Sequence, residues 1–558
     1  MLTTVANVRR VALCGTKITW SFHKRTQTGV SSIETHPKSV LVVGGGLVGL
    51  STALFLASRD VPTVLVERHA GSSLHPRAIG YTPRTLELFR AVGLESRIPQ
   101  APANFRLRRA KAESLSGKWF EEIPYTPPTK QTQQTQPVEY SPCRGAAIAQ
   151  DRLEPILREK AIELGADVRF NTEHIRFEQD ANGVVAWLRE RNGKEYTLRA
   201  AYMVAADGHR SPIRTALGIS RSGRGHIRSV RSVLFRADLE EYLRAGVTQF
   251  EIKQPDFEAF LTTYGDGRWV LIFSDDKERD EKSLRTMISK AIGRSDLEIE
   301  ILTTGHWEIT ALVADSFASG RIFLAGDAAH TLPPSRGGYG ANTGIDDAHN
   351  LAWKLSSVLS GTSTEKLLDT YDAERRPVAQ LRHQQIFVRM DYKADANDTA
   401  KDVPIIDEQA IEFGQLYRSS AVLGAGEKLP PALRPDQWAG QPGTRAPHVW
   451  VSKDGKRLST LDLLQSSWVV LAEDERWCTA AAKTSEQLDI KIKCFQIGTD
   501  VIPADLEAFR TAFGMGTTGA CLIRPDGYIA WRSTDIPTSP LHALTDALKL
   551  VSSAKILA

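Results

Sequence analysis

Residues 39–67 follow a pattern that few folds can accommodate. A β-branched run at 39–43 stops at Gly-Gly-Gly-Leu-Val-Gly (44–49), an apolar helix-like stretch follows, and a second apolar run at 63–66 ends in an acidic residue. Glycines at this spacing allow a tight turn, close approach of a pyrophosphate and close packing of helix on strand, and the acidic side chain accepts hydrogen bonds from ribose hydroxyls. The pattern therefore predicts a Rossmann-type α/β domain for a dinucleotide, although it does not decide between FAD and NAD. The candidate binding residues are Gly44, Gly46, Gly49 and Glu67.

A second pattern lies much later in the chain, at 321–355. It indicates a buried strand at 322–325, the pair Gly326-Asp327, a loop rich in proline and glycine, and a helix that should begin near Thr343. Asp327, at the end of a strand, is placed to accept a hydrogen bond from a polyol hydroxyl. Backbone N–H groups at the start of a helix favour an anion because the helix dipole is positive there. The residues that would present these groups are Gly340, Ala341 and Asn342.

Together these two patterns resemble the class A flavoprotein monooxygenases, the family of para-hydroxybenzoate hydroxylase, phenol hydroxylase and the anthracycline-type aromatic hydroxylases. The Gly-Asp pair, the double proline at 333–334 and the Gly-Tyr-Gly-Ala-Asn sequence that follows carry the resemblance. It implies that the cofactor is FAD, that Gly326 and Asp327 hold its ribityl chain, and that 340–342 face the flavin edge that turns negative on reduction. The residues implied to flank the reactive side of the flavin, with no side-chain base among them, are Pro333, Pro334 and Gly340.

This family contacts its flavin from further segments, and each has a counterpart in the sequence. A loop at 75–83 leads into a helix, a Gln precedes a helix that Asp151 should cap, and a buried strand ends in Asp207-Gly208 before a helix with Ser211 at its N-cap and Pro212 at its first position. In the family, the last of these motifs also contributes to pyridine nucleotide binding. The contacts that the resemblance implies are Arg68, Arg77, Gln150 and Asp207, whereas Arg84 fits a flavin contact and a structural role equally well.

One position departs from the simple phenol hydroxylases. When the segments are aligned on Arg-Thr-Leu-Glu at 84–87, the carboxylate with which those enzymes activate their substrate falls at Ile79. We therefore expect a larger aromatic of the polyketide type more than a small simple phenol. Four aromatic side chains are candidates either for the substrate pocket or for the core, namely Tyr264, Trp269, Phe273 and Trp307.

The character of the chain changes at 220–310. Alternating segments such as 230–236 and 268–273 flank a Gly-Asp-Gly turn at 265–267, which predicts an antiparallel sheet. In the family, a sheet of this kind covers the flavin and binds the substrate. Before it, 101–143 contains several prolines around a Gln/Thr-rich patch, which indicates a long surface loop.

From about residue 440 the sequence resembles the thioredoxin-like C-terminal domain of the phenol hydroxylase branch. A strand at 468–471 and the sequence Arg-Pro-Asp-Gly at 524–527 follow in the order of that domain. It contains no Cys-x-x-Cys, so we predict packing or dimer contacts and no redox chemistry of its own. The five cysteines are scattered through the chain, which predicts a reducing compartment, no disulfide framework and no metal site.

These segments predict an α/β fold: a Rossmann-type FAD-binding domain, an inserted antiparallel-sheet substrate domain and a C-terminal thioredoxin-like domain. A further helix, starting near Tyr371, should follow the second FAD segment and run to about Tyr392. The predicted boundaries are an N-terminal extension at 1–37, the first part of the FAD-binding domain at 38–219, the substrate domain at 220–310, the second part of the FAD-binding domain at 311–395, a linker at 396–439 and the thioredoxin-like domain at 440–558.

The charge of the chain limits its partners. The formal net charge of +4 is close to balance, which predicts no nucleic-acid partner. The first 38 residues carry an excess of arginine and lysine and have no continuous apolar core, which argues against a secretory signal but permits a mitochondrial transit peptide beside the expected cytoplasmic location. Residues 40–57 hold no charge, but the glycines in their middle favour the nucleotide fold over a membrane span.

The resemblance implies a reaction as well as a fold. NADPH or NADH would reduce FAD, O₂ would form a C4a-hydroperoxyflavin, and an electrophilic OH would pass to an electron-rich aromatic ring. Two other functions remain open: a flavin reductase or dehydrogenase that does not use O₂, and a flavin-binding protein without turnover. The sequence leaves the substrate, the choice between NADPH and NADH, and the presence of a homodimer undecided.

Overall fold

The computed structural model describes residues 5–9, 21–25, 33–75, 78–102, 108–124, 138–243, 247–334, 338–389 and 403–555. Two eight-stranded sheets and a smaller C-terminal α/β unit make up most of these residues. Arg77, the loop residues 335–337 and much of the N-terminal extension lie outside the described residues.

The first sheet is built around parallel strands, and its central order is β10-β11-β12-β3-β4-β9, with β19 added beside β12 and β18 beside β19. Its strands are β3 (Ile33–Val43), β4 (Thr63–Glu67), β9 (Asp167–Phe170), β10 (Thr172–Asp180), β11 (Gly183–Glu190), β12 (Glu195–Ala205), β18 (Ala318–Ser319) and β19 (Ile322–Leu324). Its helices are α1 (Leu47–Ala57), α3 (Gln150–Glu163) and α6 (Tyr339–Leu359). Residues 40–43 of β3 are buried, and α1 packs between α3 and α6, so the Rossmann-type arrangement is confirmed.

The second sheet is mostly antiparallel, with the order β20-β17-β13-β16-β15-β14-β6-β7. Its strands are β6 (Arg108–Ala112), β7 (Trp119–Pro124), β13 (Arg221–Arg236), β14 (Val247–Gln254), β15 (Phe257–Thr263), β16 (Arg268–Phe273), β17 (Glu300–Ala314) and β20 (His330–Thr331). Helix α5 (Glu281–Ile292) covers one face of it.

The prediction of one long surface loop at 101–143 was wrong in part. Strands β6 and β7 pair with each other in this segment, and β6 extends the second sheet through a parallel pairing with β14. The pairing joins residues about 140 positions apart, for example Ala110 with Phe250. A local pattern interrupted by prolines gives no sign of a partner strand so distant in the chain.

The C-terminal unit has a four-stranded sheet in the order β24-β23-β26-β27. Its strands are β21 (Trp450–Lys453), β22 (Lys456–Ser459), β23 (Trp468–Ala472), β24 (Ile492–Gln496), β25 (Ile502–Pro503), β26 (Ala520–Ile523) and β27 (Ile529–Ser533), and its helices are α10 (Glu475–Leu488), α11 (Leu506–Phe513) and α12 (Pro540–Val551). The first two strands of this order are parallel and the others antiparallel, which is the thioredoxin-like arrangement.

The prediction that the cysteines form no disulfide was wrong. Cys478 in α10 and Cys494 in β24 are disulfide-bonded, while Cys143 and Cys521 are buried thiols. The two partners are 16 positions apart in the sequence and meet because α10 packs against β24. The scattered cysteines therefore do not by themselves argue for a reducing compartment.

The remaining elements connect these units. They are β1 (Val5–Arg9), β2 (Ser21–Arg25), β5 (Gly80–Tyr81), β8 (Ala146–Ala147), α2 (Pro83–Ala91), α4 (Pro212–Ala216), α7 (Lys366–Val388), α8 (Glu408–Phe413) and α9 (Pro435–Trp438). Short 3-10 turns occupy Glu95–Arg97, Glu240–Tyr242, Gly326–Ala328 and Thr460–Leu463. Among the described residues, none of the helices combines the length and the apolar character that a membrane crossing requires.

Two helix starts differ from the prediction. Helix α7 begins at Lys366, before the predicted start at Tyr371, because Leu367 and Leu368 are buried and extend its packed face. It then continues through Pro377, so tertiary packing outweighs the lost hydrogen bond. Helix α6 begins at Tyr339 and not near Thr343, so the Gly-Ala-Asn sequence forms its first turn instead of preceding it.

Candidate active site

The ends of four neighbouring parallel strands meet at one edge of the first sheet. Val43 at the end of β3 lies opposite Ala205 of β12 and Val66 of β4, and Ala205 lies opposite Leu324 of β19. Ligands of open α/β sheets bind outside this carboxyl edge. The residues that follow these ends are the predicted candidates, so the fold brings together the glycine loop, Glu67, Asp207 and the Gly326-Asp327 pair.

The glycine loop combines two packed positions with an open one. A Cβ added to Gly44 would lie 2.2 Å from the carbonyl oxygen of Ala206, and one added to Gly49 would lie 1.8 Å from that of Gly44. At Gly46 the nearest atom is Oε1 of Glu154, 3.8 Å away. Gly46 is also the N-cap of α1, where it offers no side chain to the first-turn N–H groups. The first and last glycines are therefore required by packing, and the middle one leaves room for a phosphate.

Glu67 is fastened to the glycine loop. Its Oε2 accepts a hydrogen bond of 2.7 Å from the backbone N–H of Gly45, and its Oε1 accepts one of 2.8 Å from the N–H of His69. The side chain keeps 14% of its surface exposed, so a ribose hydroxyl can reach the carboxylate. Arg68 next to it is exposed on the surface.

Asp207 is half-buried, and one of its two carboxylate oxygens is not used within the described residues. Its Oδ2 accepts a hydrogen bond from the N–H of Ile213, whereas its Oδ1 is buried without a hydrogen-bond partner in the described part of the chain. Burial raises the pKa of Asp207 above its ordinary value. The following helix starts as predicted, since Ser211 accepts from the N–H of Arg214 and Pro212 is the first helical residue.

Helix α3 contributes one expected and one unexpected residue. Gln150 accepts a hydrogen bond from the N–H of Ala78 (3.3 Å) and donates one to Glu154 Oε1 (2.7 Å). Glu154 is 2% exposed, and burial raises its pKa. Sequence reasoning missed Glu154, although a carboxylate one helical turn after Gln150 is a signal that could have found it.

The predicted capping role of Asp151 was wrong. Helix α3 has Ala149 at its N-cap, and Asp151 lies in the first turn. Its carboxylate instead accepts hydrogen bonds from Arg268 of the second sheet, the shorter of which is 2.7 Å. A charged partner from another sheet forms a stronger hydrogen bond than a neutral N–H of the same helix.

The turn at Gly326 is confined between two helices. Gly326 has a φ of +60°, and a Cβ there would lie 2.7 Å from Val48 of α1. A Cβ added to Gly344 of α6 would lie 2.9 Å from the Cα of Gly326. Asp327 is half-buried beside fully buried neighbours, so its side chain has access to the edge of the sheet.

Asp347 of α6 holds this turn, a role that sequence reasoning did not assign to it. Its Oδ2 accepts hydrogen bonds from the N–H of Gly326 (3.3 Å) and from His330 (2.7 Å), and its Oδ1 accepts one from Arg375 (2.7 Å). Burial by itself would raise the pKa of Asp347, but Arg375 and His330 outweigh it and hold this pKa below its ordinary value. Asp347 is therefore a buried anion that anchors the turn.

The side chain of Asn342 does not face the edge of the sheet. Its Oδ1 accepts hydrogen bonds from the N–H of Thr82 (3.1 Å) and the hydroxyl of Thr85 (2.6 Å), and its Nδ2 donates to the carbonyls of Gly338 (2.7 Å) and Gly80 (3.3 Å). Asn342 thus ties the first turn of α6 to the start of α2 and the residues just before it. In the same turn, the half-buried Gly340 and Ala341 remain the candidates for backbone contacts.

The two prolines before this helix differ in exposure. Pro333 is buried and Pro334 is exposed, and residues 335–337 after them lie outside the described part. Their placement beside a ligand therefore stays a prediction.

The two sheets meet at His75. Its Nε2 lies 2.9 Å from the hydroxyl of Ser232, and its ring packs edge-on against Trp307 with 5.3 Å between ring centroids. Trp269 and Phe273 lie in the core on the α5 side of the second sheet, so of the two alternatives that the sequence left open for them the core is the one observed. Tyr264 is half-buried at the hairpin beside them.

The residues at this edge fit FAD. Gly46 has no close neighbour at a helix N-terminus, Glu67 offers an accessible carboxylate, and Oδ1 of Asp207, which has no partner among the described residues, offers an acceptor for a ligand hydroxyl or N–H. A second acceptor, Asp327, follows the next parallel strand. An extended dinucleotide with hydroxyls at both ends and phosphates in the middle matches this order of groups.

Comparisons with known proteins agree with this chemistry. The model of the FAD binding domain matches residues 38–385, and that of the aromatic-ring hydroxylase C-terminal domain matches residues 439–553. The chain is 40% identical over 548 residues to a 4-methyl-5-nitrocatechol 5-monooxygenase from Burkholderia sp, covering 93% of this chain and 99% of that one. It is 38% identical to a tetracenomycin A2 monooxygenase-dioxygenase from Streptomyces glaucescens, covering 93% and 97%.

A solved structure shows the same fold. The complex of aklavinone-11 hydroxylase with FAD and aklavinone superimposes with a TM-score of 0.83 at 34% identity, covering 93% of this chain and 99% of that one. The flavin-dependent monooxygenase PieE, solved with FAD and substrate, gives a TM-score of 0.79 at 28% identity, covering 92% and 98%. The chain therefore belongs to the FAD-dependent aromatic-ring monooxygenases.

Proposed function

We propose that FAD lies along the carboxyl edge of the parallel sheet. This placement is supported by the aligned ends of β3, β4, β12 and β19, because they bring the candidate contacts to one side of the sheet. Glu67 binds the adenosine ribose, Gly46 and the start of α1 hold the pyrophosphate, and Asp327 holds the ribityl chain. The flavin ring then lies near Pro333 and the first turn of α6.

The protein positions the reactants and stabilises charge. The flavin, when bound, supplies the chemistry by which O₂ is reduced and the substrate is oxidised. Backbone N–H groups of Gly340 and Ala341, with the dipole of the 21-residue helix α6, favour negative charge on the reduced ring without reorganising. The second sheet covers this side, where His75 contacts Ser232, and so excludes water from the reacting atoms.

We propose that the substrate is an electron-rich aromatic ring carrying phenolic hydroxyls, either a catechol or a polyketide-type fused ring. The names of the relatives support both, since one acts on a nitrocatechol and others on tetracenomycins. Ile79 occupies the position where the simple phenol hydroxylases have an acid. The polyketide-type ring remains the expected class on that ground.

The experiment is substrate-stimulated oxidation of NADPH by the purified, FAD-loaded protein in an oxygen electrode. We expect one or more substituted catechols or polycyclic phenols to raise both NADPH and O₂ consumption and to give a hydroxylated product. ¹⁸O₂ should label that product. NADPH consumption without O₂ uptake would indicate a reductase or dehydrogenase, and no NADPH consumption at all would indicate a flavin-binding protein without turnover.

Three further expectations from the sequence remain predictions. O₂ as the second substrate is measured in the same assay, and parallel reactions with NADH decide the nicotinamide. A homodimer is tested by light scattering on the eluted peak of a sizing column. The cytoplasmic location and its mitochondrial alternative depend on residues 1–37 and are tested by localising the full-length chain with and without them.

A further inference from the structure

The turn between β26 and β27, residues 524–528, reaches from the C-terminal unit into the flavin-binding part of the molecule. Arg524 donates to both carboxylate oxygens of Glu374 in α7, at 2.6 and 3.0 Å. Arg59, just after α1, donates to the carbonyl of Pro525 at 3.1 Å. Asp526 lies within 3.4 Å of the Nδ2 of Asn350 in α6. Helices α6 and α7 and the residue just after α1 therefore all form hydrogen bonds with this one turn.

The side chains around Arg524 form a buried cluster of charges. Glu374 also accepts hydrogen bonds of 2.8 Å from both Lys354 and Asn350 of α6, and Arg524 also binds Asp526. Each of these side chains is at most 2% exposed. The formal charges of Lys354 and Arg524 balance those of Glu374 and Asp526. Loss of one member would leave an uncompensated charge in the interior.

The residue next to Glu374 continues the contacts toward the flavin site. Arg375 donates to Asp347 at 2.7 Å, to the hydroxyl of Tyr417 at 2.7 Å and to the carbonyl of Thr343 at 3.2 Å. The ring of Tyr417 stacks on that of Tyr528 in the 524–528 turn, with 4.1 Å between centroids and 11° between planes. The turn thus contacts Glu374 directly through Arg524. It supports Arg375 indirectly, because Tyr528 stacks on the Tyr417 ring whose hydroxyl Arg375 contacts.

Asp347 completes the path, because it accepts the hydrogen bond from the N–H of Gly326. We propose that the 524–528 turn positions the flavin: Arg524 and Tyr528 fix Glu374, Arg375 and Tyr417, and these fix Asp347 and the Gly326-Asp327 pair. This role rests on the proposed placement of FAD beside that pair. It gives the C-terminal unit, which has no Cys-x-x-Cys, a positioning function in the monooxygenase.

The test uses two conservative variants of the full-length protein. Arg524→Lys keeps the charge and removes the forked hydrogen bonds to Glu374 and Asp526. Tyr417→Phe keeps the ring stacked on Tyr528 and removes the hydroxyl that Arg375 contacts. The control is Leu471→Ala, since Leu471 is buried in a cluster made entirely of residues from the C-terminal unit. The readouts are the Kd of FAD on deflavinated protein, the midpoint potential of the bound flavin and the Tm.

We expect Arg524→Lys and Tyr417→Phe each to raise the Kd of FAD at least fivefold and to shift the midpoint potential. Leu471→Ala should lower the Tm by a similar amount but leave the Kd within twofold and the potential unchanged. Should Arg524→Lys fail to fold, Tyr417→Phe decides the question by itself.

A fourth variant, Glu67→Ala, separates this inference from the placement of FAD. If it weakens FAD binding while Tyr417→Phe and Arg524→Lys lower only the Tm, the 524–528 turn merely holds the units together and the positioning role is overturned. If Glu67→Ala leaves FAD binding intact, the placement of FAD is overturned, and the positioning role with it.

Discussion

Glu374 and Arg524 form a two-point ion pair in which both side chains have no exposed surface. The residues are 150 positions apart and belong to the flavin-binding and C-terminal parts of the molecule. Moving two charges out of water is costly, and the pair is tolerated because the geometry is forked and the other hydrogen bonds of both groups are satisfied. Such a pair contributes little net stability, but removing one of its two partners greatly lowers the free energy of unfolding.

The first prediction follows from this asymmetry. Glu374→Gln leaves Arg524 and Lys354 facing Asp526 alone, so we expect the free energy of unfolding to fall by about 3–5 kcal/mol. The measurement is urea unfolding followed by tryptophan fluorescence. The matched control is Glu173→Gln, which breaks an exposed pair with Arg189 and should cost less than about 1 kcal/mol. Equal losses in the two variants would show that the buried cluster is not held by charge.

The second prediction concerns the ribose contact. Glu67→Ala removes a carboxylate that also holds the N–H of Gly45, so FAD binding should weaken by about 1.5–3 kcal/mol, or roughly 10- to 150-fold in Kd. Titration of the deflavinated protein with FAD measures this. The control is Glu178→Ala, an exposed glutamate on β10. Wild-type affinity in Glu67→Ala would place the adenosine end of FAD elsewhere.

The third prediction tests the start of α6. Asn342→Asp brings a negative charge to the first turn of α6, whose backbone N–H groups we propose to face the flavin, and like charges disfavour each other even though this side chain is directed toward Thr82 and Thr85. We expect a lower midpoint potential and slower reduction by NADPH, while oxidised FAD still binds. The variant also loses the Nδ2 hydrogen bonds to Gly338 and Gly80, so its Tm should fall.

Thr85→Val is the control for this variant, because it removes a hydrogen bond to Asn342 without adding charge. A reductive titration of wild type and both variants separates the two effects. If Asn342→Asp and Thr85→Val keep the same potential, the negative edge of the flavin does not lie at α6.

The fourth prediction concerns the bond between Cys478 and Cys494. Closing a loop with a sequence separation of 16 should stabilise the C-terminal unit by about 3 kcal/mol through the entropy of the unfolded chain. Dithiothreitol should therefore lower the Tm of oxidised wild type. It should leave the Tm of a Cys478→Ser/Cys494→Ser variant unchanged, and turnover of that variant should persist. If dithiothreitol affects wild type and variant alike, the bond does not form in solution.

The fifth prediction is a pH dependence. Burial, followed by the positive charges of Arg59 and Arg84, lowers the pKa of His349 well below its ordinary value. The folded protein keeps this side chain neutral, whereas the unfolded chain binds a proton below about pH 6.5. Stability from His349 is therefore complete above that pH and is lost as the pH falls toward the lowered pKa, by about 1.4 kcal/mol per pH unit.

Urea unfolding between pH 7 and pH 5 tests this dependence. The free energy of unfolding of His349→Gln should fall less steeply with decreasing pH than that of wild type. The difference between the two slopes should correspond to about one bound proton. His542→Gln, at a side chain 80% exposed, serves as the control and should follow wild type. Parallel curves for all three proteins would show that His349 does not titrate on unfolding.

The sequence by itself determined the features that depend on neighbouring residues. Gly49 lies where any side chain would collide with the backbone of Gly44, and Ser211 caps the helix that Pro212 begins. These requirements are local steric and hydrogen-bonding rules, so a short pattern is enough to reveal them. The order of the motifs then indicated the family, because an FAD site was expected to take Glu67 and Asp327 from different strands.

Only the tertiary structure decided which side chains meet across the fold. Asp151 pairs with Arg268 instead of capping its own helix, Asn342 bonds to Thr82 and Thr85 some 260 positions away, and β6 joins a sheet whose other strands come much later in the chain. Each of these outcomes depends on which polar group or strand edge is nearest once the chain is packed. Buried donors, acceptors and charges must find partners wherever the fold brings them. That necessity paired Glu374 with Arg524, and no spacing in the sequence records it.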